Sequence, residues 1–180
     1  MIYNHLENYL GPIIRGWSTN ENDLGIQVSL FNEIDKPGVN TYSSLGLNKI
    51  VLDISNKSVR HELIFAAYET YPTDEISYFL MTFAEYIAKR GVGLLRGDFM
   101  TGFPLIKGAT VSGIYASIPV FWPDEFHIYE DTSPKTVLVW LIPITNKEAD
   151  TIADKGWDFF EDLLEGSDCD FWDLKRKSLL

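Results

Sequence analysis

The sequence predicts an α+β fold, in which a mixed or antiparallel sheet packs against two long helices. Short apolar stretches with strand-like alternation are interrupted by two segments of helical periodicity, without a regular alternation of strand and helix. Hydrophobic residues make up 46% of the 180 residues, enough for a sizeable core. Repeats, low-complexity tracts and flexible linkers are absent from the sequence, so we predict a single domain over residues 1–180.

The first third of the chain predicts one short helix and then strands. Residues 2–10 are expected to form a helix that ends at Gly11-Pro12. Alternating residues at 25–32 predict a strand, and Asp35-Lys36-Pro37-Gly38 predicts a turn. A second strand at 40–46 would then form a hairpin with the first.

The middle of the chain predicts two more strands and the first long helix. Residues 50–54 and 60–71 are expected to be strands, although the alanines in the second also suit a helix. The helix begins at Pro72-Thr73-Asp74-Glu75, where Thr73 is the expected cap, and ends at Gly91. Glycine-rich residues 93–113 predict a loop with short extended pieces.

The last third predicts strands at 114–122, 126–129 and 136–144, followed by the second long helix. The run at 136–144 is almost wholly apolar, which predicts a strand buried on both faces. Thr145-Asn146-Lys147-Glu148 has the form of a capping box, so we expect a helix from Thr145 to Glu165 that Gly166 ends. Residues 167–180 are polar and predict a short strand or a short helix.

Charge and composition exclude several classes of function. The net charge is −11, from 15 basic and 26 acidic residues, so nucleic acids and anionic membranes would be repelled, whereas a basic protein would be attracted. The apolar runs are too short to span a bilayer, and the first residues lack the pattern of a signal peptide. With a single cysteine, Cys169, the chain suits a reducing cytoplasm.

One face of the predicted last helix carries an acidic stripe. Its members are Asp150, Asp154, Asp158, Glu161, Asp162 and Glu165. Acids four residues apart repel one another by roughly 0.2–0.5 kcal/mol per pair. Such a stripe is either a solvated face that keeps the protein soluble or a docking face for a basic partner. Under the second interpretation, the partner-binding residues are Asp154, Asp158, Glu161, Asp162 and Glu165.

The sequence gives little support for catalysis. The three histidines, His5, His61 and His127, lack metal-ligand spacing, and motifs for a nucleophile or for phosphate binding are absent. The enzyme hypothesis therefore depends on His127 acting with Asp124 or Glu125. We expect no enzyme activity, no metal and no cofactor.

Two aromatic clusters allow two interpretations. Phe121-Trp122-Pro123 and Phe171-Trp172 could be exposed anchors for a partner, since aromatic residues dominate binding hot spots. They could equally pack in the core or at its edge, as most aromatic residues in a domain of this size do.

Four ordered motifs resemble the suppressor-of-fused-like family. They are Ser44-Leu45-Gly46-Leu47-Asn48, Arg60-His61-Glu62-Leu63, Leu94-Leu95-Arg96-Gly97-Asp98 and the stretch Trp140 to Glu148, which contains Pro-Ile-Thr-x-x-Glu. Gly156 and Leu163 also fall where the family's last helix has a glycine and a leucine. The resemblance covers about residues 25 to 165.

The resemblance implies an α+β domain used for protein recognition, with no catalytic residues to transfer. Short bacterial members of this family are immunity proteins, or antitoxins, that neutralise a toxin. We therefore expect an immunity protein that blocks a cognate toxin stoichiometrically through a basic toxin surface, and a nuclease is the expected toxin class. The alternative is a regulatory binding scaffold without a toxin partner. The sequence leaves the toxin's identity, the docking surface and the oligomeric state open.

Overall fold

The structure, a computed structural model, describes residues 1–19, 23–31, 35–102 and 105–180. Within these residues, strands β1 to β9 form a mixed sheet in the order β1-β2-β3-β5-β9-β7-β6, with β4 beside β5 and β8 beside β9. The strands are β1 (Ile13–Trp17), β2 (Gln27–Phe31), β3 (Val39–Leu45), β4 (Leu52–Ile54), β5 (Lys57–Tyr68), β6 (Phe99–Thr101), β7 (Gly113–Ser117), β8 (Ile128–Tyr129) and β9 (Thr136–Ile144). Only the β5–β9 pair among these ladders is parallel. The predicted α+β class is therefore confirmed.

Both faces of the sheet are buried, each against different helices. Side chains alternate along β5, so Leu63 and Phe65 face one core and Ile64 and Ala66 face the other. The first core contains helix α2 (Thr73–Arg90). The second contains α1 (Ile2–Leu10), α3 (Asn146–Lys155) and α4 (Trp157–Glu165). Strand β9 supplies both cores, as its continuous apolar run predicted.

The prediction of one continuous helix from Thr145 to Glu165 is wrong, because Gly156 divides this segment into α3 and α4. Gly156 has φ +92° and ψ 165°, a conformation that glycine adopts easily and that is not helical. The capping box at its start is confirmed, since Thr145 accepts from the Glu148 amide and Glu148 accepts from the Thr145 amide. A single helical wheel over 145–165 would place Ala153 and Phe159 on the apolar side, opposite the acidic stripe, yet Ala153 in α3 and Phe159 in α4 are both exposed.

Several predicted strands are shorter than expected. The stretch 114–122 is a strand only to Ser117, and Pro119 could not donate to a continued ladder. The stretch 126–129 is a strand only from Ile128, because Asp124–Phe126 form a 3₁₀ helix that ends at His127. The strand predicted at 25–32 runs over Gln27–Phe31, and residue 32 lies outside the described residues. The strand β1 was not predicted. It is a short edge strand that contains Gly16 and has no fully buried residue.

The start of α2 also differs from its prediction. Pro72 occupies the cap position and Thr73 is the first helical residue, so Thr73 is not the cap. The expected end at Gly91 is confirmed, with Gly91 in the left-handed region at φ +69°. Among the described residues, none of the helices has both the length and the apolar character to cross a membrane.

Residues 167–180 form neither of the predicted elements, and instead pass from one core to the other. The Tyr68 amide donates to the Trp172 carbonyl (3.1 Å), and the Thr110 amide donates to the Leu174 carbonyl (3.0 Å). Leu174 is buried in the α2 core, whereas Trp172 packs against the other core. The segment is therefore held in place by tertiary contacts rather than by regular structure.

Candidate protein-binding surface

Negative charge is concentrated in residues 146–170, which include α3 and α4. This segment carries nine acidic and two basic residues, a net charge of −7 within a chain of net charge −11. Seven of these acids are exposed: Asp150, Asp154, Asp158, Asp162, Glu165, Asp168 and Asp170. We call these seven residues the acidic surface. It includes four of the five predicted partner-binding residues.

Glu161, the fifth predicted partner-binding residue, is placed differently. Its side chain is 13% exposed and accepts from Arg96 Nε (2.9 Å), from Arg96 Nη2 and from the Tyr115 hydroxyl (2.8 Å). Arg96 thus neutralises Glu161 and joins α4 to the loop that precedes β6. Because its charge is compensated within the chain, Glu161 contributes less to an external field than its exposed neighbours do.

The motif at 94–98 explains how Arg96 is positioned. Asp98 accepts from the Leu95 amide (2.8 Å), and the Gly97 amide donates to the Ala116 carbonyl (3.0 Å), which fixes the loop against β7. Gly97 has φ +97°, and a Cβ atom there would lie 2.7 Å from Cγ of Trp157. Glycine is therefore required for Trp157, the first residue of α4, to pack over this loop.

The motifs at 44–48 and 60–63 meet at a buried carboxyl group, that of Glu62. Its Oε1 accepts from the amides of Gly46 (2.8 Å) and Asn48 (3.1 Å), and Ser44 donates to its Oε2. Glu62 is fully buried, and burial raises its pKa from 4.5 to about 7, against the opposite effect of these hydrogen bonds. The motifs thus describe a turn after β3 that is closed by one glutamate of β5.

The motif at 140–148 ends at a second buried glutamate, Glu148, which forms an ion pair with Arg176. Arg176 Nη1 and Nη2 lie 2.6 and 2.8 Å from the two oxygens of Glu148, and the Leu179 amide also donates to it (3.0 Å). Burial would raise the pKa of Glu148, but the hydrogen bonds from Arg176, Thr145 and Leu179 outweigh it and hold the pKa below its ordinary value. Sequence reasoning missed Arg176. The only signal was the basic run Lys175-Arg176-Lys177 in a segment expected to be polar.

The two aromatic clusters divide between core and surface. Trp122 is buried, whereas Phe121 is 45% exposed, and Phe171 and Trp172 are half-buried. The clusters meet in space, since the Phe121 ring lies 5.4 Å from Phe171 and 5.3 Å from Trp172. Core packing is therefore confirmed for Trp122, whereas the exposed Phe121 is left as a candidate anchor.

The residues of the enzyme hypothesis do not form a catalytic arrangement. His127 Nε2 lies 3.2 Å from the Pro119 carbonyl, and the side chains of Asp124 and Glu125 are exposed. The neighbouring cleft of about 450 Å³ is lined by Glu125 and His5 but not by His127. In the described part of the chain, no group of three or more potential metal ligands is found.

His61, the remaining histidine, is buried in a structural role. Its Nε2 accepts from the Leu94 amide (3.1 Å) and its Nδ1 lies 3.2 Å from the Val137 carbonyl. This pattern requires the neutral ring with its proton on Nδ1. Burial lowers the pKa of His61, which is consistent with that form.

Comparison with known proteins assigns the fold to a family. The model of the family described as Suppressor of fused protein (SUFU) matches residues 22–177, so this chain belongs to the suppressor of fused family. The resemblance stated from the sequence motifs is confirmed.

One relative has a functional name. The chain is 25% identical over 174 residues to "Immunity protein YqcF" of Bacillus subtilis (strain 168), which covers 93% of this chain and 88% of that protein.

Solved structures share the fold at lower identity. A SUFU homolog from Neisseria gonorrhoeae FA 1090 has a TM-score of 0.78 at 17% identity, covering 99% of this chain and 94% of that one. A chain of the Sufu–Fu complex has a TM-score of 0.75 at 13% identity, covering 99% and 90%. Drosophila Suppressor of Fused has a TM-score of 0.72 at 14% identity, and there this chain covers half of the longer protein.

Proposed function

We propose that this chain is an immunity protein that binds one cognate bacterial toxin and neutralises it by stoichiometric blockade. The observation that carries the proposal is the acidic surface, because it gathers most of the net charge on one segment of a fold whose relative is named an immunity protein. We further propose that the chain acts as a single domain in the cytoplasm. Neither the family name nor the relative's name denotes a catalytic activity.

The proposed mechanism is electrostatic. A nuclease binds phosphate backbones through lysine and arginine, so its substrate groove is basic. An acidic surface that docks there would occlude the groove and speed association by long-range attraction. We propose Asp154, Asp158, Asp162 and Glu165 as direct partner contacts. Glu161 would act beside them while it holds Arg96.

A second candidate is a regulatory binding scaffold without a toxin partner. The match to a chain of the Sufu–Fu complex supports it, since that protein forms a complex with another protein. The two functions differ in one measurable respect. An immunity protein protects a cell from a toxin, whereas a scaffold captures a partner that is harmless when expressed alone.

Co-expression tests the proposed function. The product of the neighbouring gene is expressed in a host cell alone and together with this chain, and colony formation is counted. We expect killing by the neighbour alone, rescue by the pair, and a one-to-one complex on mixing the purified proteins. A neighbour that is harmless, or one that kills without forming a complex with this chain, contradicts the proposal.

Charge reversal tests the proposed surface. The double variant Asp158→Lys/Asp162→Lys should slow association with the toxin by about tenfold or more at low salt and flatten its salt dependence. The control Asp124→Lys/Glu125→Lys makes the same charge change at two exposed acids of the 3₁₀ helix Asp124–Phe126, beside α1. If both variants slow association equally, net charge rather than the acidic surface steers the encounter.

A further inference from the structure

An apolar cleft lies beside the acidic surface. It has a volume of about 230 Å³ and lies between the segment after β7, Trp140 and Ile142 of β9, α4 and Phe171. Small-molecule pockets usually measure about 300–1,000 Å³, so this cleft suits one side chain rather than a cofactor.

Three aromatic rings that pack on one another form part of the wall of the cleft. The ring of Phe121 lies 5.3 Å from Trp140 and 5.4 Å from Phe171, and Trp140 lies 5.4 Å from Phe171, all at steep interplanar angles. Such tilted contacts are the favourable geometry for aromatic pairs. The cleft is thus formed before any partner binds, which lowers the conformational entropy lost on binding.

The rim of the cleft exposes apolar surface to solvent. Val120 is 57% exposed and Phe121 is 45% exposed, both in the segment that follows β7. Ile142 and Leu164 line the interior. In addition, the indole N–H of the buried Trp140, which lines the cleft, donates to no acceptor among the described residues. A bulky apolar side chain would match the apolar part of this lining.

The charge at the edge is negative. Glu161, Glu165 and Arg96 all line the cleft, and Arg96 pairs with Glu161 while its charge also interacts with that of Glu165. Two negative charges and one positive charge leave the lining at −1, so together with the neighbouring exposed acids it gives a net negative field next to the apolar cleft. This combination favours a segment in which lysine or arginine flanks the apolar side chain.

We propose that the cleft receives one bulky apolar side chain of the partner, presented between basic residues. The inference rests on the proposed function for the identity of that partner, which would be the toxin. The apolar side chain would fill the cleft as the hot spot of the interface, and the flanking bases would lie against the acidic surface.

The test selects peptides from a random library displayed on phage, with the purified wild-type chain as bait. Binders of the variant Val120→Arg are removed by counter-selection, because its charge and bulk block the rim. We expect a consensus of one bulky apolar residue flanked by lysine or arginine. In calorimetry the best peptide should bind wild type, lose at least about tenfold in affinity with Val120→Arg, and bind Val51→Arg normally. Val51 is the matched control, a valine that is 48% exposed just before β4.

A second measurement tests whether the peptide binds in the cleft. Its binding should shift the indole N–H resonance of Trp140, which is assigned as the one that is missing from the spectrum of the Trp140→Phe variant. No enriched sequence, a consensus without basic residues, or equal loss in both arginine variants overturns the proposal. A dimer of the wild type that Val120→Arg dissociates also overturns it, in favour of a second copy of this chain. None of these outcomes depends on whether the chain protects cells from the toxin. A failure of the proposed cleft can therefore be distinguished from a failure of the proposed immunity function.

Discussion

The buried carboxyl group of Glu62 should make the stability of the protein fall as pH rises from about 4.5 to about 7. Its pKa is about 7 in the folded chain and 4.5 when exposed. Between these two values the folded state binds a proton that the unfolded state has lost, so protonation favours folding. Above the folded pKa, Glu62 is ionised in both states, and its buried charge lowers stability by about 3 kcal/mol, from 1.36 kcal/mol per pKa unit.

The matched variant is Glu62→Gln, which cannot ionise. Glutamine retains an oxygen that can accept from the amides of Gly46 and Asn48, whereas its amino group must face Ser44. The variant should therefore resemble the protonated form of Glu62, whose proton also faces Ser44, at every pH. The pH-dependent part of the difference belongs to Glu62 alone.

The assay is urea unfolding followed by tryptophan fluorescence at a series of pH values. Between about pH 5 and about pH 8, the free energy of unfolding of the wild type should fall by roughly 2–3 kcal/mol relative to Glu62→Gln. Other carboxylates cancel in this difference because both proteins contain them. A difference that stays constant over the range would mean that Glu62 has the same pKa folded and unfolded, and would refute the argument from burial.

Two further predictions concern the contacts that hold α3, α4 and the last residues. Arg176→Met leaves Glu148 buried without its counter-charge, so it should destabilise the protein by about 3–5 kcal/mol in urea unfolding. It should also expose the last residues to limited proteolysis. Undiminished stability would mean that Glu148 takes up a proton or water at little cost. Gly97→Ala should lower the free energy of unfolding by about 1–3 kcal/mol more than Gly108→Ala does, because both glycines have positive φ but only Gly97 faces Trp157. Equal losses of thermal stability would mean that the contact with Trp157 does not matter for stability.

Much of the fold could be predicted because local signals agree with the tertiary structure. The run at 136–144 is β9 at its predicted bounds, and the capping box at Thr145 opens α3 as expected. The break at Gly156 could not be predicted in the same way, because an isolated glycine within a helical pattern is usually tolerated. Trp157, the residue that follows the break, packs on Gly97, a distant contact that no local pattern records.

The candidate surface was predicted in composition but not in geometry. The helical wheel found the acids of α3 and α4, because exposed charge follows from sequence alone. It could not show that Arg96, some 65 residues away in the chain, neutralises Glu161. Nor could it bring Phe121 and Phe171 together to form the cleft. Such pairings depend on the order of strands in the sheet, which periodicity does not encode.

The motifs that define the family and the surface proposed for binding are mostly different parts of the molecule. Glu62 and Glu148 collect backbone amides inside the chain, where a substitution changes the free energy of unfolding. Asp158 and Asp162 are exposed, where a charge can change with little effect on folding but a large effect on association. Family membership thus follows from the scaffold, while partner choice can diverge on the surface. Removing the partner of Glu148 should therefore lower stability first, whereas charge reversals on α4 should lose partner binding while the chain remains folded.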